Sequence, residues 1–380
     1  MSYSDVNRHR SMVFDAVRNR AYMNALAKVI GPQSTVMDVG AGLGVLGLAA
    51  AQLGAAEVHL VEPALPATLL ADIAKDNHLT RVHCHQAQVE SLTLEVQADV
   101  LVSVLTGNFL LTEDLLPTLL LARDRFLAAG GVLLPGAARM LVMPVQAQAY
   151  YERHIECWRS SSQWFGEHAL PALNYDRVAQ FSTNSLFYDK HRKIDSVALA
   201  PATRLLELDF YTAQSAACDH QLECTVTSDG LCHGWLGWFQ AKLGEDWFST
   251  GPFDENTHWN QVFLPLAQPI AVKQGETLRF SLKRPEFGDW TWTTGYKGVE
   301  QRASTFLAQP QSLTDYKRFA LSAKPELDAR GRAMLWLLEK MDGSNTIDEL
   351  TRALFKTFPA LFASERQAQQ FVREAIARGV

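Results

Sequence analysis

Val36-Met37-Asp38-Val39-Gly40-Ala41-Gly42-Leu43-Gly44-Val45-Leu46 is the stretch that decides the fold. A β-branched apolar run ends in three closely spaced glycines, and an Ala/Leu-rich helical segment starts straight after them. A second apolar run, Val58 to Val61, ends on Glu62, 22 residues beyond Gly40. This is the pattern of the first βαβ unit of a nucleotide-binding sheet, with an acid placed for ribose hydroxyls. Glycine spacing selects the ligand. A dinucleotide fold has its third glycine where this chain has Val45; glycines at 40, 42 and 44 suit S-adenosylmethionine (SAM), which has no pyrophosphate to cradle. Glycines alone can simply make a turn. The strand before them, the helix after them and the acid at the next strand end together point to a binding site.

The chain has 380 residues, enough for two or three domains. A net charge of −6 gives no field for a nucleic-acid backbone, so no nucleic-acid partner is expected. The polar, charged run from Ser2 to Arg10 predicts no signal peptide, and Leu115 to Leu121 is too short to cross a membrane. Five cysteines without knuckle spacing predict a reducing, cytoplasmic location. Cys218, His220, Cys224, Cys232 and His233 fit no zinc pattern and sit in alternating, strand-like sequence, so no metal is expected.

His9 to Ile30 reads as one helix, with an apolar stripe through Met12, Val17, Tyr22 and Leu26. Strands follow at Thr35–Val39, Glu57–Val61, Val82–Gln86, Asp99–Ser103 and Gly131–Leu134, alternating with helices. That order predicts an α/β, mostly parallel, Rossmann-like sheet over residues 1–136. From 137 to 307 short alternating runs such as Thr203–Phe210, Gln221–Val226 and Thr277–Leu282 predict an antiparallel barrel or sandwich. Arg153 to Lys193 reads as an excursion from it. A linker after Pro310 leads to a small helical domain over 323–380, with helices at Ala333–Met341, Thr346–Phe358 and Ser364–Arg378.

These residues resemble the protein arginine methyltransferases over roughly residues 1 to 305. His9-x-x-Met12-x-x-Asp15-x-x-Arg18-x-x-x-Tyr22 is similar to that family's N-terminal helix, with Tyr3 in place of its second aromatic. The Asp38–Leu46 loop, Glu62 and Val89-Glu90 match its SAM site. Ser103 through Glu113, then Arg123, Leu127, Gly131 and Pro135, match the active-site hairpin and the following strand. Ser249-Thr250-Gly251-Pro252 and Thr257-His258-Trp259 match the barrel loop that completes the site. The resemblance implies a SAM-dependent methyltransferase with a β-barrel domain, and a homodimer formed by an arm at about 153–193.

It also implies roles. Met12, Arg18, Asp38, Gly40, Gly42, Gly44, Glu62, Val89 and Glu90 would hold SAM. Arg18 would pair with its carboxylate, Glu62 with its ribose and Glu90 with the adenine amino group. Glu113, His258 and Asp15 would be the catalytic set. Tyr3, Val104, Thr106 and Trp259 would line the substrate pocket.

One departure from the family stands out. The family grips a guanidinium between two hairpin glutamates, and this chain has Val104 at the first position and Glu113 at the second. A guanidinium stays charged and presents a fork of five donors. Removing one partner of a buried ion pair costs about 3–5 kcal/mol. An imidazole, a primary amine, or an amide or hydroxyl beside an acceptor fits better than arginine. The expected reaction is therefore methyl transfer to a nitrogen of a peptide or protein side chain, either arginine or a group with fewer donors to satisfy. Methylation of a free small molecule and an inactive SAM- or partner-binding scaffold are the alternatives.

Leu327 to Val380 is similar to the helical part of peptide-recognition domains of the pyrroloquinoline quinone chaperone type. The matching residues include Gly331, Met341-Asp342-Gly343, Thr346-Ile347-Asp348-Glu349-Leu350 and Phe358-Pro359. That similarity implies docking of a peptide or protein substrate. A helical cap on the barrel or on a second subunit is the simpler alternative.

Overall fold

A computed structural model describes residues 5–189, 194–318, 320 and 322–377. The chain divides into two compact units, Met1–Pro310 and Gln311–Val380.

The first unit opens with a parallel sheet of five strands: β1 (Thr35–Val39), β2 (Glu57–Val61), β3 (Val82–His85), β4 (Ala98–Ser103) and β5 (Leu127–Leu134). Their spatial order is β3-β2-β1-β4-β5, and every pair is parallel. β1 and β2 start half-buried and are then buried at every position, as a sheet covered on both faces requires. The order reverses between β1 and β4, and a crevice at such a switch point is where α/β sheets bind ligands.

The strand predictions of the parallel sheet hold to within a residue except at β5, which starts four residues earlier than Gly131. The N-terminal helix is not continuous. It breaks at Phe14 into Arg10–Val13 and Ala16–Val29. Asp15 causes the break: its backbone is extended, and its Oδ1 accepts from the Arg18 amide at 2.9 Å, capping the second helix.

Eleven more strands follow: β6 (Ala137–Gln146), β7 (Phe187–Tyr188), β8 (Val197–Ala198), β9 (Thr203–Asp209), β10 (Cys218–Thr225), β11 (Gly230–Leu243), β12 (Asp246–Ser249), β13 (Val262–Val272), β14 (Thr277–Arg284), β15 (Thr291–Tyr296) and β16 (Val299–Ser304). They form two antiparallel sheets, β10-β14-β15-β16 and β7-β13-β11-β6-β8, with β12 on β11 and β9 on β6. The sheets are tied face to face by indoles. Trp235 on β11 packs on Phe280 of β14 at 4.5 Å and donates to Thr294 Oγ1 at 2.9 Å; Trp292 donates to the Pro265 carbonyl at 3.0 Å. Cys218 and Cys224 lie buried on β10, and Cys232 and His233 on β11. Between β6 and β7 the chain runs through short helices from Gln148 to Ser182.

Arg123 straps the parallel sheet to the antiparallel part. Its buried Nη1 donates to the carbonyls of Phe210 and Ala213 at 2.6 and 2.7 Å.

In the second unit Ala329–Lys340, Ile347–Thr357 and Glu365–Ala377 are helical, with a short helix at Leu313–Arg318 inside the expected linker. Thr346 and Glu349 form a capping box, and Asp328 caps the helix before it. Leu337, Leu350, Leu354, Phe371 and Val372 build a core of their own.

Candidate active site

A cavity of about 270 Å³ lies in the first unit, at the C-terminal ends of β1, β2 and β4. Three segments shape its sheet side. The turn after β1 carries Gly40, Gly42 and Gly44 at φ of +71°, +55° and +78°, values that side chains rarely adopt. Gly42 has a second constraint, since a Cβ there would stand 3.0 Å from His9 Nδ1. The buried His9 thus lies over the turn and lines the cavity.

Glu62, at the end of β2, accepts from the amides of Gly42 (2.9 Å) and Ala64 (2.7 Å). A carboxylate has about four acceptor sites, so capacity is left for a pair of hydroxyls. Asp38 is buried and accepts from the Gly47 amide at 2.8 Å. Burial pushes its pKa up to about 7 against the pull of that amide and of Arg18.

Arg18 supplies the test of what the cavity fits. Its guanidinium is buried at the cavity wall, and Nε and Nη2 donate to Asn19 Oδ1 at 2.9 and 2.6 Å. Burial holds its pKa below the usual arginine value. Among the described residues no carboxylate forms an ion pair with it. A buried cation with a neutral partner, facing a cavity, fits an anionic group. An amino-acid carboxylate at Arg18, with hydroxyls at Glu62 and backbone at Gly42, is the outline of SAM.

The opposite wall is the hairpin after β4. Ser103 Oγ donates to the Val39 carbonyl at 2.8 Å, and Tyr22 donates to the Ser103 carbonyl at 3.1 Å, which fixes where the hairpin starts. Gly107 is needed because a Cβ there would lie 2.0 Å from the Thr112 carbonyl oxygen. Phe109, Leu110, Glu113 and Asp114 all have positive φ, between +50° and +71°. Such strain persists only where surroundings over-determine it. Phe109 is buried, stacks on Trp290 at 5.6 Å, and occupies the space beside Gly237, where a Cβ would meet its ring at 2.5 Å. Val104, Thr106 and Glu113 face the cavity from this wall.

The antiparallel sheets close the site. Trp259 Nε1 donates to the Thr106 carbonyl at 2.9 Å, and the Asn260 amide to Asn108 Oδ1 at 2.7 Å, so the loop before β13 pins the hairpin twice. His258 Nδ1 lies 2.8 Å from Asp15 Oδ2. Burial raises the Asp15 pKa, but hydrogen bonds from His258 and the Arg18 amide outweigh it and hold the carboxyl below its usual range. Burial, with the nearby Arg18 cation, holds the His258 pKa below its usual value against the upward pull of Asp15 and Glu113.

Asp15 itself is not at the cavity wall; it acts on the site through His258. Of the other predicted residues, Met12, Arg18, Asp38, Gly40, Gly42, Glu62, Val104, Thr106, Glu113, His258 and Trp259 line this one cavity. Gly44 does not; it makes the left-handed cap of the next helix. Val89 and Glu90 do not line it either. Val89 is buried, and Glu90 Oε1 accepts from Thr118 Oγ1 at 3.2 Å. Tyr3 lies outside the described residues. Four residues at or near the site were given no individual role in the sequence: His9 and Asn108, which line the cavity, and Tyr188 and Arg284, which lie beside the hairpin. His9 had a signal, since it opens the N-terminal motif. Tyr188 is brought close by β7 pairing with β13, and the negative charge of Glu113 adds to burial in raising its pKa.

A parallel sheet with a glycine turn, a buried arginine and a ribose-type acid defines a SAM-dependent methyltransferase. Comparison with known proteins narrows this. Residues 136–289 match the model for the "Arginine methyltransferase oligomerization subdomain", and residues 20–133 the "Ribosomal protein L11 methyltransferase (PrmA)" model. The chain is 31% identical over 281 residues to "Protein arginine N-methyltransferase 6" of Xenopus tropicalis, covering 72% of this chain and 82% of that protein. It is 31% identical over 294 residues to "Protein arginine N-methyltransferase 1" of Schizosaccharomyces pombe, covering 73% and 82%. Among solved structures, the Trypanosoma brucei PRMT1 enzyme-prozyme heterotetrameric complex with AdoHcy superposes with a TM-score of 0.71. That likeness covers 80% of this chain and 99% of that chain at 24% identity, and it shows the fold. The chain belongs to the protein arginine methyltransferase family.

Proposed function

We propose that the protein transfers a methyl group from SAM to a side-chain nitrogen of a peptide or protein, and that this nitrogen belongs to a group with fewer donors than a guanidinium. The carrying observation is a single cavity with Arg18, Gly42 and Glu62 on one wall and Glu113 facing them beside an apolar Val104.

SAM supplies an electrophilic sulfonium methyl. The chain's own residues do the rest. Arg18 takes the carboxylate, Glu62 the ribose hydroxyls, and the Gly42 turn lets the backbone come close. Glu90 is assigned to the adenine amino group. Glu113 would accept an N–H of the acceptor group, orient it in the pocket and hold the proton released when methyl transfer converts SAM to S-adenosylhomocysteine. The Asp15–His258 pair keeps the N-terminal segment seated. Thr106 and Trp259 complete the pocket.

Three further assignments belong to this reading. Residues 1–136, 137–307 and 323–380 are the cofactor, barrel and peptide-docking parts. A homodimer forms through the arm at about 153–193, supported by exposed Trp158, Trp164 and Tyr175. The location is cytoplasmic, supported by five free cysteines. Among the described residues no helix is long and apolar enough to cross a membrane.

Calorimetric titration of SAM, with Glu62→Ala as control, tests the reading first. Binding lost in the variant supports a working cofactor site. A folded wild type that binds no SAM overturns it.

A further inference from the structure

The strained end of the hairpin is held from the antiparallel sheets by one buried cation. Arg284, the last residue of β14, is 3% exposed in its side chain, and its Nη2 meets Asp114 Oδ1 at 2.5 Å. The Phe287 amide donates to the same oxygen at 2.9 Å. The guanidinium lies over the Trp290 ring at 5.3 Å, and Trp290 in turn stacks on Phe109 of the hairpin. Buried Nε and Nη1 of Arg284 have no hydrogen-bond partner among the described residues. A guanidinium with most of its donors unpaired in the interior is an unfavourable way to fill space. What it accomplishes is local. Asp114 and its neighbour Glu113 are both in the left-handed region, at φ of +52° and +71°. Non-glycine residues stay there only when something outside the turn fixes them.

We infer that Arg284, through Asp114, is the positioning residue that holds Glu113 in its left-handed conformation at the cavity. The inference rests on the reading of Glu113 as the acceptor-orienting carboxylate. It adds that the orientation is set from β14 rather than from the parallel sheet that carries the hairpin. Asp114 would relay the hold through the backbone, since its carboxylate takes both the Arg284 and the Phe287 donor.

The test compares the full chain with Arg284→Met, Arg284→Lys and Asp114→Asn. One readout is amide exchange over residues 105–115. The other is transfer from labelled SAM to a mixture of peptides, each presenting one arginine, histidine or lysine. Arg284→Met and Asp114→Asn are expected to speed hairpin exchange by about tenfold or more, with β10 and β13 still protected. SAM affinity should stay within about twofold while kcat falls by about tenfold or more. Arg284→Lys should recover part of both effects, because it keeps a cation beside Asp114, and it serves if the methionine variant does not fold. Unchanged hairpin exchange overturns the inference whatever the turnover. Faster exchange with full transfer overturns it as well. A wild type that methylates none of the peptides counts against the proposed reaction alone, and exchange then decides whether Arg284 holds the turn.

Discussion

Asp15 Oδ2 accepts from both the backbone amide and the Nδ1 of His258, each at 2.8 Å, across 243 residues of chain. Its other oxygen caps the helix that carries Arg18. One carboxylate thus couples the N-terminal segment, the helix of Arg18 and the loop that pins the hairpin.

Asp15→Ala should therefore remove a cap worth about 1 kcal/mol. It also strands a buried imidazole donor, at about 1–3 kcal/mol more. Urea denaturation is the check. Because the folded pKa of Asp15 lies below the unfolded value of 3.8, its contribution is complete above 3.8 and is lost as pH falls through the folded value. The gap between wild type and variant should close in acid and stay open at neutral pH.

Asp38 has the opposite sign. Its carboxyl titrates near 3.8 when unfolded and at about 7 when folded. The folded state holds a proton the unfolded state lacks between those values, so this contribution is complete below 3.8 and declines as pH rises to about 7. Asp38→Asn keeps an acceptor for the Gly47 amide and removes the buried charge. Its stability relative to wild type should rise from pH 5 to pH 8, by about 2–4 °C of Tm for each kcal/mol relieved.

Glu113→Gln separates binding from chemistry. SAM affinity should remain within about twofold, while transfer to the peptide mixture falls by about 100-fold or more, as for removal of a general base. Turnover at the wild-type rate would take Glu113 out of the mechanism.

Val104→Glu supplies the first hairpin carboxylate that the resemblance to the arginine methyltransferases implies. Transfer to an arginine peptide should rise by about 100-fold or more, the rate equivalent of about 3 kcal/mol of ion pairing. A histidine or lysine peptide should gain far less. Equal gains for all three peptides would mean that donor count does not set the acceptor.

Deleting residues 323–380 should raise KM for a peptide drawn from the true substrate and leave SAM binding as it was. An unchanged KM would assign the helical unit to something other than docking.

The cofactor half of the site was legible because its signals are local. A strand, three glycines and an acid at the next strand end lie within 28 residues, and each has one backbone reason to be there. The strand limits were read for the same reason, since β1 and β2 are apolar runs with turn residues at their ends. The helix break at Phe14 was missed because the apolar stripe continues through it; only Asp15 marks the new start, and a cap inside a periodic run reads as a surface acid. Arg284 and Tyr188 were out of reach for another reason. Arg284 ends an ordinary alternating strand and Tyr188 lies in a two-residue strand within the excursion, both more than 70 residues from the hairpin, and only the folded register of β14 and β7 brings them to it.

Gly237 carries a consequence for recombination between relatives. Its missing side chain is the room that the Phe109 ring occupies. A barrel strand thus bears the imprint of a hairpin encoded 128 residues earlier. A chimera joining this chain's residues 1–136 to another family member's barrel must bring a glycine to the Gly237 position. Any larger residue there would crowd the Phe109 ring and shift the hairpin that walls the cavity.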